Sequence, residues 1–203
     1  MTPPSTAPRS ATPALVLASS SPYRRELLAR LGIPFTSSNP DLDEASLPGE
    51  APEAQVRRLA EAKARAVADR HPTSLVIGSD QLAVVNGTVL TKPGGHEPAV
   101  RQLRAMRGRE VIFYTGLCLL DTTAGTVEID CVPCTVEFRD CSDEEIERYL
   151  RRDQPYQCAG SFRSEGLGIS LLHRMRGDDP TALIGLPLIR LTKMLRAAGV
   201  RVP

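Results

Sequence analysis

The chain reads as a mixed α/β protein, a mixed β-sheet with flanking helices, and that reading rests on two observations. Short apolar stretches of strand length alternate with segments of helical period along most of the 203 residues. Some strands also return on themselves, most clearly through Asn86-Gly87, a pair suited to a two-residue hairpin turn. Strands that both alternate with helices and form hairpins assemble most simply as a mixed sheet covered by helices.

Leu15 to Ser19 is the first strand. Pro22 to Leu31 follows as a helix, with Ser21 as N-cap, Pro22 at the first position and Gly32 as the stop. Ile33 to Ser38 is a second strand and Asp41 to Gly49 an acidic loop. Pro52 to Arg70 forms a long helix ended by His71-Pro72. The apolar run Leu75 to Val85 turns at Asn86-Gly87 and returns as Thr88 to Lys92. Pro98 to Arg107 is a helix ending at Gly108, and Glu110 to Asp121 pairs with Thr126 to Arg139 as a long hairpin. Ser142 and Glu145 make a capping box for a helix that stops before Pro155. Two extended pieces, Gln157 to Ser161 and Gly168 to His173, precede a last helix from Pro187 to Ala198 closed by Gly199. Residues 1–13, rich in Pro, Ser, Thr and Ala, read as a disordered extension with no targeting role, and residues 14–203 as a single domain.

A net charge of +1 argues against a broad basic surface for a nucleic-acid polymer or an anionic membrane. The longest apolar stretch, Val111 to Leu120, is about half of a membrane span. Five cysteines, an odd number, disfavour a disulfide framework and suit the reducing cytoplasm. Cys131-Val132-Pro133-Cys134 has a metal-ligand spacing, but it falls in a strand, where positions three apart face opposite ways; buried thiols are the better reading than zinc. His71, His96 and His173 are scattered without helical pairing.

The chemistry is expected around Asp80-Gln81, a polar pair inside the apolar strand. A carboxylate in such a strand costs several kcal/mol unless something pairs with it. Arg24 and Arg25 occupy the first turn of a helix, where the dipole repels cations; an anion held with the nearby serines removes the conflict, and two solvated arginines are the plain alternative. Val56, Leu59, Lys63 and Val67 share one helical stripe, so Lys63 either snorkels to solvent or aims its ammonium into a cleft. Counting back from the turn sets Gln81 opposite Lys92, which brings that lysine beside Asp80 unless it is simply an edge-strand residue. Asp41-Leu42-Asp43-Glu44 is either a solvated acidic loop or, near Asp80, a partner in holding Mg²⁺. Asp178-Asp179 reads as a solvated turn, and Cys158 to Gly168 as a linker or a loop that touches the ligand.

Leu17 to Leu28, Arg58 to Ala64, Ile77 to Gln81, Lys92-Pro93 and Gly185 to Leu188 together closely resemble, in family order, the Maf nucleoside triphosphate pyrophosphatases. The resemblance covers about residues 15 to 198. It implies a curved mixed β-sheet with two lobes around a central groove, cleavage of the α–β anhydride of a nucleoside triphosphate, a divalent cation such as Mg or Mn, and often a dimer. By position, Asp80 resembles the proton acceptor that activates water. Ser19, Arg24, Arg25, Lys63 and Lys92 resemble phosphate ligands, and Asp43 the acidic metal-side residue. Tyr23, Gln81 and Glu165 fall where the family sorts its bases. An aromatic residue, glutamine and glutamate resemble the branch acting on 7-methyl-GTP, although that branch often has tryptophan where this chain has Tyr23. The alternatives are a pyrophosphatase for pyrimidine or other non-standard triphosphates, and a nucleotide-sensing regulator of division that does not turn its ligand over.

Overall fold

The computed structural model describes residues 13–203, so the extension expected to be disordered, residues 1–13, lies outside the described part except for Pro13. Seven strands form one mixed sheet, β1 (Ala14–Ala18), β2 (Phe35–Ser38), β3 (Ser74–Val85), β4 (Thr88–Leu90), β5 (Glu110–Asp121), β6 (Thr126–Phe138) and β7 (Leu172–Arg176). Its order is β2-β1-β3-β5-β6-β7, with β4 added beside β3. The two contacts of β1 are parallel and the others antiparallel. Five helices flank it: α1 (Pro22–Ala29), α2 (Pro52–Ala68), α3 (His96–Met106), α4 (Asp143–Asp153) and α5 (Leu188–Ala197). Among the described residues no helix is long and apolar enough to cross a membrane.

Most elements lie within two or three residues of their expected ends, because their caps are local. Ser21 and Ser142 accept from backbone N–H groups at the starts of α1 and α4, and the capping box with Glu145 is complete. The segment 157–173 differs. Where two extended pieces are expected, the chain makes 3₁₀ turns over Ala159–Ser161 and Leu167–Leu171 and reaches strand conformation only at Leu172. Gly160 and Ser161 take φ of 64° and 57°, which no strand accommodates.

The central strand β3 creates the opening in the sheet. Along one side it pairs with β5 from Leu75 to Val84. Along the other, β1 pairs only as far as Gly78, and β4 begins opposite Ala83. Residues 79–82 therefore have a strand on one side and a gap on the other. The hydrophobic core divides at the same place. Ala83, Val85, Phe113, Tyr149 and Phe162 belong to a cluster with α3 and α4. Leu75 and Ile77 pack under α1 and α5, while Val76 packs against Ala60 and Ala64 of α2. Two lobes thus share β3 and β5, with a groove at the gap.

Candidate active site

Strand alternation decides what Asp80 meets. Val76, Gly78 and Asp80 face α2, and Leu75, Ile77, Ser79 and Gln81 face the opposite layer. Gly78 and Gly116 let α2 lie against the sheet: a Cβ on either would stand 2.0 Å from a helix carbonyl oxygen, that of Ala60 or Val56. With the helix so close, the core-facing Lys63 reaches over the strand and its Nζ sits 2.6 Å from Asp80 Oδ1 and 2.9 Å from Glu44 Oε1. Lys63 and Asp80 are buried, so the sharper of the two sequence readings of Lys63 is the observed one.

On the other face, Ser79 Oγ lies 2.8 Å from the Gly116 oxygen and 2.9 Å from the Gly185 oxygen. Arg24 Nε donates to that same Gly185 carbonyl at 2.8 Å, fixing its guanidinium over the gap. Gln81 Nε2 donates to the carbonyls of Ala182 and Leu183 at 2.8 and 3.1 Å. The loop bearing these carbonyls is tied to α5 by Asp179. This residue, expected to be solvated, is 2% exposed and accepts from the backbone N–H of Thr181 and Ile189. Its carboxylate caps the start of α5, a role that depends on a contact ten residues along the chain from the expected turn.

The groove has a volume of about 680 Å³ and is lined by Ser19, Tyr23, Arg24, Lys63, Asp80, Gln81, Lys92 and Glu165, among others. Eight of the ten residues expected to serve the site are therefore brought together. Two are not. Arg25 is exposed and does not line the groove, because α1 turns it away from Arg24 toward solvent. Asp43 is exposed and its carboxylate accepts from the backbone N–H of Ala45 at 3.0 Å. Its neighbour Glu44 lines the groove instead, and of the three carboxylates in that window it is the one on Lys63. Lys92 reaches the groove by a different route from the one expected. The β3–β4 ladder ends at Ala83 and Leu90, so Lys92 is not paired with Gln81 and enters from the segment after the strand.

The electrostatics differ along the groove. Burial pushes the Arg24 guanidinium down, opposed by the charges of Asp80 and Glu44. Burial raises the Glu44 carboxyl, but the hydrogen bond and charge of Lys63, with Lys92 and Arg24 beyond, outweigh it and leave the group below its usual range. This end holds three cations against two carboxylates, an arrangement suited to a multiply charged anion. At the other end burial pushes the Glu165 carboxyl up. The nearby Arg163 guanidinium is the largest single influence on Tyr23 and favours its ionised form, yet burial together with Cys158 outweighs it and raises the hydroxyl. Cys158 and Phe162 share this end, and neither they nor Arg163 stands out in the sequence beyond lying in a glycine-punctuated loop.

Among the described residues no three His, Cys, Asp or Glu side chains gather closely enough to cage a metal ion. Glu44 and Asp80, joined through the Lys63 ammonium, form a two-carboxylate set, which fits a Mg²⁺-type ion that takes its remaining ligands from water and phosphate.

Comparison with known proteins places the chain. It is 59% identical over 192 residues to a Nitrosococcus oceani protein named 7-methyl-GTP pyrophosphatase, an alignment covering 95% of this chain and 96% of that one. It is 57% identical over 190 residues to a protein of the same name from Methylobacillus flagellatus, covering 94% and 99%. A Pseudomonas aeruginosa protein of that name is 52% identical over 191 residues, covering 94% and 100%. The family described as Maf-like protein matches residues 14–198, the stretch that carries the sheet, the groove and α5, and the chain belongs to that family.

Proposed function

We propose that this protein hydrolyses 7-methyl-GTP to 7-methyl-GMP and diphosphate, removing a modified nucleotide in the cytoplasm. The observation that carries the reading is the polarity of one groove, with a buried Asp80–Lys63 couple at its cationic end and Tyr23 with Glu165 at the other. Relatives at 52–59% identity that bear this name support the same substrate.

Arg24, Lys63 and Lys92 hold the triphosphate, and the positive field they share lowers the cost of the charge that develops as the leaving group departs. Asp80 accepts the proton of a water that attacks the α-phosphorus in line. The α–β bridging oxygen leaves with diphosphate, and the water oxygen remains on the monophosphate. Lys63 orients the Asp80 carboxylate, so the base is held in position before substrate arrives. A divalent cation, Mg or Mn, would be held by Glu44, Asp80 and substrate phosphate oxygens, and supplies charge neutralisation there.

At the other end, methylation at N7 leaves guanine with a delocalised positive charge. The Tyr23 ring attracts it by roughly 0.5–2 kcal/mol. Glu165 accepts hydrogen bonds from the N1–H and exocyclic amine of guanine, and its negative charge opposes that of the base. Gln81, bound to the Ala182 and Leu183 carbonyls, keeps that wall in place.

Diphosphate release measured with Mg²⁺ and with Mn²⁺ across 7-methyl-GTP, GTP, ITP, UTP and dTTP tests the reading. The expected result is fastest release from 7-methyl-GTP; intact 7-methyl-GTP beside a cleaved pyrimidine triphosphate would overturn it.

A further inference from the structure

The second carboxylate of the phosphate end comes from a segment with no regular structure to place it. Residues 39–51 carry no helix or strand, only a turn at 48–49, yet Glu44 within them stands 2.9 Å from Lys63 Nζ. Lys63 cannot hold that segment unaided, because the same ammonium already sits 2.6 Å from Asp80 Oδ1. Each free residue of such a loop loses backbone entropy when it is fixed, so the position of Glu44 needs an anchor.

The anchor is Arg58. Its Nε donates to Glu50 Oε1 at 2.7 Å and its Nη2 to Glu50 Oε2 at 2.6 Å, the two-pronged grip of a guanidinium on a carboxylate. Nη2 also donates at 3.2 Å to the carbonyl of Ala45, the residue beside Glu44. Glu50 extends the grip, since its Oε2 accepts from the Leu47 backbone N–H at 3.3 Å. Three residues before Arg58 on α2, the buried Gln55 donates from Nε2 to Ser46 Oγ at 2.8 Å. Residues 45, 46, 47 and 50 are thus all fastened, directly or through Glu50, to one helix.

That helix is also the one that carries Lys63. Five residues separate Arg58 from Lys63, about 7.5 Å along the axis. A single rigid element, seated on the sheet at Gly78 and Gly116, therefore fixes both the ammonium and the loop that brings Glu44 to it. Among the described residues, every hydrogen bond of the Arg58 side chain goes to residues 45 and 50. Neither Arg58 nor Glu50 lines the groove.

We infer that Arg58, gripping Glu50 and Ala45, is a positioning residue that sets the Glu44 carboxylate beside Lys63 and Asp80 and so completes the divalent-cation site of the groove. The inference rests on the proposed 7-methyl-GTP hydrolysis, with Glu44 and Asp80 toward the cation, and adds the residues that make Glu44 available. Arg58 touches neither the substrate nor the cation. Its effect passes through Glu44.

Mn²⁺ binding in the presence of the α,β-methylene analogue of 7-methyl-GTP tests this without turnover. Free Mn²⁺ is read by electron paramagnetic resonance, with the analogue alone as baseline. The proteins are the full-length wild type, Glu44→Gln, Arg58→Met, Glu50→Gln and the Glu44→Gln/Arg58→Met double variant. Glu44→Gln removes the ligand itself and sets the size of the loss. Arg58→Met and Glu50→Gln leave Glu44 and Asp80 in the chain, and each is expected to weaken Mn²⁺ binding by about tenfold. The double variant should bind no more weakly than Glu44→Gln, since both changes act on one ligand. Urea unfolding of each variant separates a structural clamp, which would lower stability and leave the Mn²⁺ affinity of the folded protein unchanged. Glu50→Gln, alone and combined with Glu44→Gln, decides the matter if Arg58→Met does not fold. Wild-type Mn²⁺ affinity in Arg58→Met and Glu50→Gln, or additive losses in the double variant, would overturn the role while the activity stands. Wild-type affinity in Glu44→Gln would overturn it as well, by removing Glu44 from the cation site. A wild type that leaves 7-methyl-GTP intact overturns the activity and this role with it.

Discussion

The two ends of the groove are built from different material. At the phosphate end, Asp80 lies in the middle of the central strand and Lys63 in the middle of the longest helix, with Gly78 and Gly116 setting the distance between those elements. At the base end, Glu165 and Arg163 sit on a segment with no regular structure longer than a 3₁₀ turn, and its position depends on side chains from α4. The contrast separates two demands. Proton transfer and phosphate clamping need fixed geometry, which regular backbone supplies without further help. Base selection needs a surface that differs between relatives, and a loop tied down at a few points can change without disturbing the sheet.

The largest effect that could break this comparison comes from the rigid end. Asp80→Asn removes the proposed proton acceptor and keeps its shape, so diphosphate release should fall by about 10²- to 10⁴-fold while nucleotide affinity holds, as read by turnover beside equilibrium binding. Near-normal turnover in that variant would move the chemistry elsewhere in the groove.

Gly78→Ala probes whether helix seating, rather than Asp80 itself, defines that end. Its Cβ would meet the Ala60 carbonyl at 2.0 Å, and a backbone oxygen cannot swing aside. The expected outcome is a loss of about 1–3 kcal/mol in denaturant unfolding, with turnover reduced because Lys63 rides on the displaced helix. An unchanged midpoint would mean that α2 is less firmly seated than the contact implies.

Glu165→Gln sharpens the other side. The preference for 7-methyl-GTP over GTP should fall about tenfold, with little change in the turnover of GTP. Burial has raised the Glu165 carboxyl above its ordinary value, so acidification removes its charge earlier than for a solvated glutamate. In the wild type the same preference should fade as pH falls toward that raised value. In Glu165→Gln it should stay flat, as competition assays across pH would read directly.

The smallest effect compares the two lobes as cores. Burial pushes Cys118, under α2, up to about 12 and Cys134, in the α3–α4 cluster, up to about 11, against an ordinary 9.0. The native thiols stay protonated where those of the unfolded chain ionise. Unfolding then releases protons, and stability should fall as pH rises from about 9 toward 11 in the wild type. Cys118→Ala and Cys134→Ala should each flatten part of that slope in urea unfolding series.

Much of this protein is legible in the chain because its signals are local. Asn86-Gly87, the capping box at Ser142 and Glu145, and the alternation through the β5–β6 hairpin each act over a few residues, and each lies where it is expected. The stripe through Val56, Leu59 and Lys63 left two readings of the lysine open, snorkelling or pointing into a cleft, and only the structure sets it, buried, against Asp80. The five stretches shared with the Maf family foretold the groove.

What the chain alone left open was decided by distant contacts. In an irregular acidic loop no periodicity distinguishes Asp43 from Glu44, and only the approach of Lys63 from α2 selects Glu44. Arg24 and Arg25 are adjacent and alike, but the Gly185 carbonyl, 161 residues away, takes one and leaves the other in solvent. Asp179 looks like a surface turn until α5 folds back onto it. Arg163 finds its carboxylate partner in Asp153 at the end of α4. Sequence determined which residues could form strands and helices, because those preferences are written in neighbouring side chains. Tertiary structure determined which of two equivalent charges faces the groove, because that depends on partners the chain brings together only when the helices and loops pack onto the sheet.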